Sequence, residues 1–239
     1  MLSLRNSLTL DSISSGSSWQ PSDEGCLEAW YKKGVGITTV FSSPHDYATS
    51  WTDSSSNTND MVNSDAIPSP PTAPTQPLYY GAPGHQMEFN LAWQTFLKSA
   101  SSISLSGEFT IVIRITPAAS PDGKFLSSDS LNSYFEYAST SQIKFKLASG
   151  DTPQDLDLNG ATTFGDDYLI ITRNDSDLVT LWRNGVEQTA SVTSTSALTL
   201  NGLGYNSGET LNGSIMEVQM YSCSNATLTS NANTYASTL

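Results

Sequence analysis

The chain has 239 residues, of which 37% are hydrophobic, 10% aromatic and only 14% charged, and it carries a net charge of −13. That apolar content suits the core of one large β domain and is too high for a disordered chain. The charge excludes a nucleic-acid partner, because ten basic residues scattered along the chain cannot neutralise a run of phosphates.

Residues 1 to 18 form a Ser-rich arm in which Leu2, Leu4, Leu8, Leu10 and Ile13 recur at short spacing. So short a segment cannot bury these side chains by itself, so it is expected to dock on its own domain or on a neighbouring subunit. The arm lacks the charged start, apolar run and small-residue cleavage site of a secretory signal. No apolar run in the chain reaches membrane-spanning length. Synthesis in a cytoplasm, without membrane insertion, is the corresponding expectation.

The domain proper is expected over residues 19 to 239. CLEAWYKK, from Cys26, reads as a strand that the glycines of KKGVGITT interrupt. Residues 42 to 86 are rich in Ser, Asn and Pro, as in SSSNTND and IPSPPTAPTQP, and read as a long irregular surface excursion with at most a short edge strand. Apolar character returns at MEFNLAW. The clearest pattern is EFTIVIRIT, where Phe109, Ile111, Ile113 and Ile115 alternate with Thr110, Arg114 and Thr116 as in a strand with one buried face. KFLSS, SYFEYA and QIKFKLA follow as short strands.

YLIITR, the turn NDSD and LVTLWR predict a hairpin. Asn184-Gly185 predicts a second one, because that pair supplies the two positive φ angles of a type I′ turn. LNGSIMEVQMYS reads as another strand with Met216, Val218 and Met220 on one face. Ser224 or Asn225 then caps a short C-terminal helix. Many strands with no helices between them mean antiparallel sheets packed face to face, and the lack of an internal repeat excludes a propeller or solenoid. Cys26 and Cys223 belong to no CxxC pair, and the residues leave two free thiols and one bridge equally open.

GDDYLIITRNDSDLVTLWRNG, LNGSIMEVQMYS and NATLTSNANTYAST, taken in that order with WTDSSSNTNDM upstream, resemble the concanavalin-A-like, laminin-G-like jelly roll over most of residues 25 to 239. The resemblance implies an all-β, two-sheet antiparallel sandwich whose first and last strands lie side by side, which would make Cys26 and Cys223 neighbours. The Met start, leucine-spaced arm and Ser/Thr/Asn-rich body are also similar to virion proteins of tailed phages, marine ones especially.

Glucanases on this fold use a Glu-x-Asp-x-(x)-Glu strand, and here no glutamate has an aspartate two residues on. Glu217 is then a lone carboxylate. His45 and His85 lie in loops without a nucleophile elbow, so no catalytic residue is assigned. Calcium is the one inorganic partner the loops suggest, at Asp53, Asn57, Asn59 and Asp60 or at Asp166, Asp167, Asp175 and Asp177, although the same residues are the commonest turn formers. Two tryptophans qualify as stacking platforms for a sugar. Trp182 faces away from Val179 and Leu181, and Trp51 sits in a polar loop, whereas Trp30 and Trp93 read as core.

Together these readings describe a non-enzymatic virion structural protein: a capsid decoration, fibre or tail appendage that displays the jelly roll on the particle surface. Its partners would be other virion proteins and copies of itself, to which the arm at residues 1 to 18 would attach it through Leu2, Leu4, Leu8, Leu10 and Ile13. The alternative is a carbohydrate-binding module for a host-surface glycan, with a glycan-degrading enzyme third.

Overall fold

The computed structural model describes residues 18–63, 65, 74–118, 123–128, 132–159, 166–204 and 210–239. The arm residues Leu2, Leu4, Leu8, Leu10 and Ile13 lie outside them. In chain order the first strands are β1 (Leu27–Tyr31), β2 (Ile37–Ser42), β3 (His45–Trp51), β4 (Met61–Val62), β5 (Leu78–Tyr80) and β6 (Gln86–Phe89). Next come β7 (Leu97–Leu105), β8 (Phe109–Pro117), β9 (Gly123–Ser127), β10 (Tyr134–Ser139), β11 (Gln142–Lys146) and β12 (Gln154–Asp157). The last are β13 (Asp167–Arg173), β14 (Leu178–Arg183), β15 (Val186–Thr193), β16 (Leu198–Leu203) and β17 (Gly213–Tyr221), followed by helix α1 (Ala226–Ala236).

Pairing sorts the strands into two antiparallel layers. The front layer runs β1–β17–β8–β13–β14–β15, and the back layer runs β2–β3–β4–β7–β16–β9–β10–β11–β12. At one end β5 and β6 join them, because β6 pairs with β17 and β5 with β3. This is the two-sheet jelly roll.

Alternation drives the packing. Phe109, Ile111, Ile113 and Ile115 are fully buried and face the shared interior with Leu169, Ile171, Val179 and Leu181 of the front layer. Leu97, Ile103 and Leu105 of β7 and Leu198, Leu200 and Leu203 of β16 meet them from the back. Stacked rings of Phe125, Phe135 and Phe145, with centroids 6.3 and 5.9 Å apart, fill one flank. Each such side chain contributes about 1.5–3 kcal/mol by leaving water. The turn at Asn184-Gly185 has φ of 51° and 80°, as the type I′ geometry requires, and Arg183 pairs with Val186 across it.

Three sequence expectations need correction. Residues 42 to 86 are not one irregular excursion, since β3 is a seven-residue strand paired with β2 on one side and with β4 and β5 on the other. HDYATSW looks polar, yet Tyr47, Ala48 and Trp51 are buried, Ala48 and Trp51 of them in the core. The prolines still obey their rule, with Pro44 in a turn and Pro77 just before β5. Second, the face of β17 is not Met216, Val218 and Met220. The register with β8 shifts between Ile215 and Glu217, so Met216 is the extra residue of a bulge and Ile215, Val218 and Met220 face the core. Third, Trp93 lies in a 3-10 turn (Leu91–Trp93) and stays partly exposed rather than in the core.

Cys26 precedes β1 and Cys223 follows β17, two strands that pair antiparallel. The two residues form a disulfide with Cα atoms 6.0 Å apart.

Candidate functional site: a cleft beneath the C-terminal helix

Helix α1 starts where Asn225 Oδ1 accepts the backbone N–H of Leu228 at 2.8 Å, a standard N-cap. Leu228, Ala232 and Ala236 recur every four residues, and that stripe is fully buried against Val112, Ile170 and Tyr221 on the outer face of the front layer. The front layer is therefore apolar on both faces at β8 and β13. The neighbouring helix face, Thr229, Ser230, Asn233 and Thr234, overhangs the sheet, with the Asn233 amide oxygen buried near Gly185.

Between that overhang and β13–β14 lies a cleft of about 530 Å³, within the range of small-ligand sites. Its floor is set by period-2 alternation: Val179 and Leu181 enter the core, so Thr180 and Trp182 project outward. Thr172 stands beside Thr180, and Ile170 beside Trp182, in the β13–β14 register. Asn174 and the Ser224-Asn225 segment complete the lining. The indole of Trp182 is partly buried against the helix cluster and keeps part of its surface in the cleft. Asn233 Oδ1 is buried and has no hydrogen-bond donor among the described residues, so an added hydroxyl or water would satisfy it. Hydroxyls, amides and one indole are the groups that hold a sugar by stacking and hydrogen bonds.

Trp51 is no such platform. It is fully buried, and its indole N–H is shared by the carbonyls of Lys32 and Val35 at 3.1 Å each. Its polar sequence context misleads because those neighbours belong to the paired strand β3 and to turns.

The aspartate-asparagine loops are spent on backbone. Asp53 Oδ1 accepts N–H bonds from Trp30 and Ser55 at 2.8 Å, and its Oδ2 accepts from the Ser55 hydroxyl and the Asn59 N–H. Asp60 accepts from the Asp53 N–H, while Asn57 and Asn59 donate to carbonyls of β1. These bonds cap the outer edge of β1, the turn-forming use of such side chains. Any cation there would have to displace these N–H donors. The second calcium group is divided by the strand between its members: Asp166 and Asp167 sit at the start of β13, and Asp175 and Asp177 follow its end, about 20 Å further along. Asp167 is held by Arg183 at 2.6 Å and Asn184 at 2.7 Å, and Asp166 by Arg114 at 3.2 Å and Thr116 at 2.5 Å.

Glu217 is 1% exposed. Its Oε1 accepts from Trp30 Nε1 and Gln219 Nε2, both at 2.8 Å, and its Oε2 from the Lys33 N–H at 3.1 Å. It ties β17 to β1. His45 lines a second cleft of about 530 Å³ between the β2–β3 and β5–β6 turns, with Asp46, Tyr79 and Tyr80, whereas the His85 ring packs against Gly34. His85 bonds the Tyr79 hydroxyl at 2.9 Å, and among the described residues neither imidazole bonds a carboxylate or a serine hydroxyl.

Alternation along LVTLWR announces the direction of Trp182, but not its companions. Thr172, Thr180, Thr229 and Asn233 look like ordinary strand and helix residues, and only the docking of α1 assembles them.

No protein-family model and no curated protein matches the sequence. Solved structures do resemble the fold. Domain 4 of AbnA, a GH43 extracellular arabinanase from Geobacillus stearothermophilus, in complex with arabinotriose, has a TM-score of 0.56 and 16% identity over 88% of this chain and 98% of that one. The binding domain of botulinum neurotoxin DC, in complex with SialylT, has a TM-score of 0.58 and 10% identity over 92% of this chain and 52% of that one. A Trypanosoma rangeli sialidase gives 0.51 and 11% over 90% and 33%. This chain thus spans about half of the toxin binding domain and a third of the sialidase. At such identities the likeness shows the fold, an all-β jelly-roll sandwich.

Proposed function

We propose that the chain is a carbohydrate-binding module whose ligand seats in the cleft between α1 and β13–β14, with Trp182 as the stacking surface. The observation that carries this is the lining itself: an accessible indole ringed by threonine, serine and asparagine side chains in a concavity of ligand size. Neighbours in complex with arabinotriose and with SialylT support the same reading. A binding role is favoured over catalysis because Glu217, the carboxylate nearest in type to a glycosidase residue, is buried and committed to β1. The reading as a phage virion component draws on sequence style and on residues 1 to 18, nearly all of them outside the described residues, and the glycan-bound neighbours support adhesion instead.

Calorimetric titration with a panel of oligosaccharides that includes arabinotriose tests the proposal. Trp182→Ala should weaken any ligand about ten-fold or more, as truncating a central aromatic anchor does. Thr229→Ala, on the helix wall, should weaken it by a smaller factor with no change in melting. A panel without a binder, or binding indifferent to both substitutions, removes the proposal.

A further inference from the structure

From the chemistry of the same cleft we infer that its ligand is an uncharged sugar and that carboxylated sugars, uronates and sialic acid among them, are discriminated against. This inference rests on the carbohydrate reading and narrows it to a substrate class. Among the described residues that line the cleft, every polar side chain is a hydroxyl or an amide and none is ionised. The two cations adjacent in sequence to the floor, Arg173 after Thr172 and Arg183 after Trp182, are committed elsewhere: Arg183 pairs with Asp167 at 2.6 Å, and Arg173 points the other way. Arg173 is fully buried, its guanidinium is committed to the carbonyls of Gly107, Leu105, Ser194 and Ser196, and it lies over the Phe109 ring.

The rim adds charge of the wrong sign for an acid. Asn174 opens the turn that carries Asp175 and Asp177, and the chain as a whole bears −13. A carboxylate entering here would lose water and gain dipoles but no counter-ion, while meeting repulsion from the turn. A hydroxymethyl group in the same place loses little and finds donors and acceptors. Discrimination therefore comes from what the cleft withholds as much as from what it offers.

The decisive comparison changes one charge and leaves the sugar intact. Oligogalacturonides and sialylated oligosaccharides are each titrated beside their methyl esters and their neutral counterparts, at low and at high salt. Expected is at least ten-fold tighter binding of the uncharged member of each pair, a gap that narrows as salt screens the turn aspartates. Ser230→Lys places a cation on the exposed helix wall and should improve the carboxylated member about five-fold relative to its ester, the scale of one added charge pair near water.

A carboxylated sugar that binds as tightly as its ester, and loses that binding with Trp182→Ala, overturns this inference and leaves the carbohydrate reading standing. Ser230→Lys with no effect on the ratio overturns the electrostatic argument. Absence of binding by every member, charged or not, removes the carbohydrate reading itself.

Discussion

Breaking the bond between Cys26 and Cys223 should cost this fold about as much as truncating a large core side chain. The two residues are 197 apart in sequence, so the bridge closes nearly the whole domain into one loop. Loop-closure entropy for such a span amounts to about 5 kcal/mol, and removal of a native bridge from a folded domain typically costs about 2–5 kcal/mol. The local packing reinforces this: both cysteines lie against the cluster under α1, and Ser222 N–H donates to the Cys26 carbonyl at 2.9 Å. Urea unfolding of the double variant Cys26→Ser, Cys223→Ser against the oxidised protein measures the loss, and the oxidised protein with reductant should reproduce it. For a domain of this length a loss of about 3 kcal/mol corresponds to a fall in Tm on the order of 10 °C. A change below about 1 kcal/mol in both experiments would refute the reasoning, because the entropy argument leaves no room for a silent bridge of this span.

Glu217→Ala should destabilise by about 2–4 kcal/mol, since it leaves Trp30 Nε1 and Gln219 Nε2 buried without an acceptor; unfolding curves would read this, and a loss under about 0.5 kcal/mol would show the carboxylate is not structural. Alkaline stability follows from four tyrosines. Burial, first of all, raises the hydroxyl pKa of Tyr31, Tyr137, Tyr221 and Tyr235 above the ordinary 10.0, with nearby carboxylates adding to it. A folded pKa above the unfolded one leaves stability intact below pH 10 and erodes it as pH rises, because only the unfolded chain ionises there. Phenolate absorbance should therefore show these four titrating together with unfolding, and independent titration of all ten tyrosines near pH 10 would contradict the burial argument.

How much could be read from the sequence depended on contrast between adjacent residues. EFTIVIRIT and the two hairpins after Tyr168 alternate sharply, and the structure places Phe109, Ile111, Ile113 and Ile115 in the interior. Strands β7 and β16 were invisible as LKSASSISL and LTLNGL, because their inward Leu97, Ile103, Leu105, Leu198 and Leu200 are diluted by Ser, Thr and Gly. Strand β3 was lost for the related reason that its buried members are tyrosine, alanine and tryptophan amid polar residues. A bulge obeys pairing geometry rather than composition, so the slip at Met216 left no trace in the pattern. Among the site residues, Trp182 was legible from its strand, while the helix wall was not, since residues 172–182 and 224–234 meet only through tertiary docking.

The cleft itself follows from the width of one apolar stripe. Leu228, Ala232 and Ala236 give α1 a single row of buried contacts, and two of the three are alanines, so the helix axis comes close to the sheet along that row. The outer face of the front layer is apolar at Val112, Ile170 and Tyr221, where the row lands, and changes to Thr172 and Thr180 one strand position further on. A helix with a wider stripe would have needed apolar residues at 229 and 233 and would have rolled down onto those threonines. Polar residues at both places leave a concavity with a hydroxyl-lined floor, an amide-bearing roof and the partly exposed Trp182 between them. The same sequence choice that limits the helix's contribution to stability thus creates the surface proposed to bind the ligand.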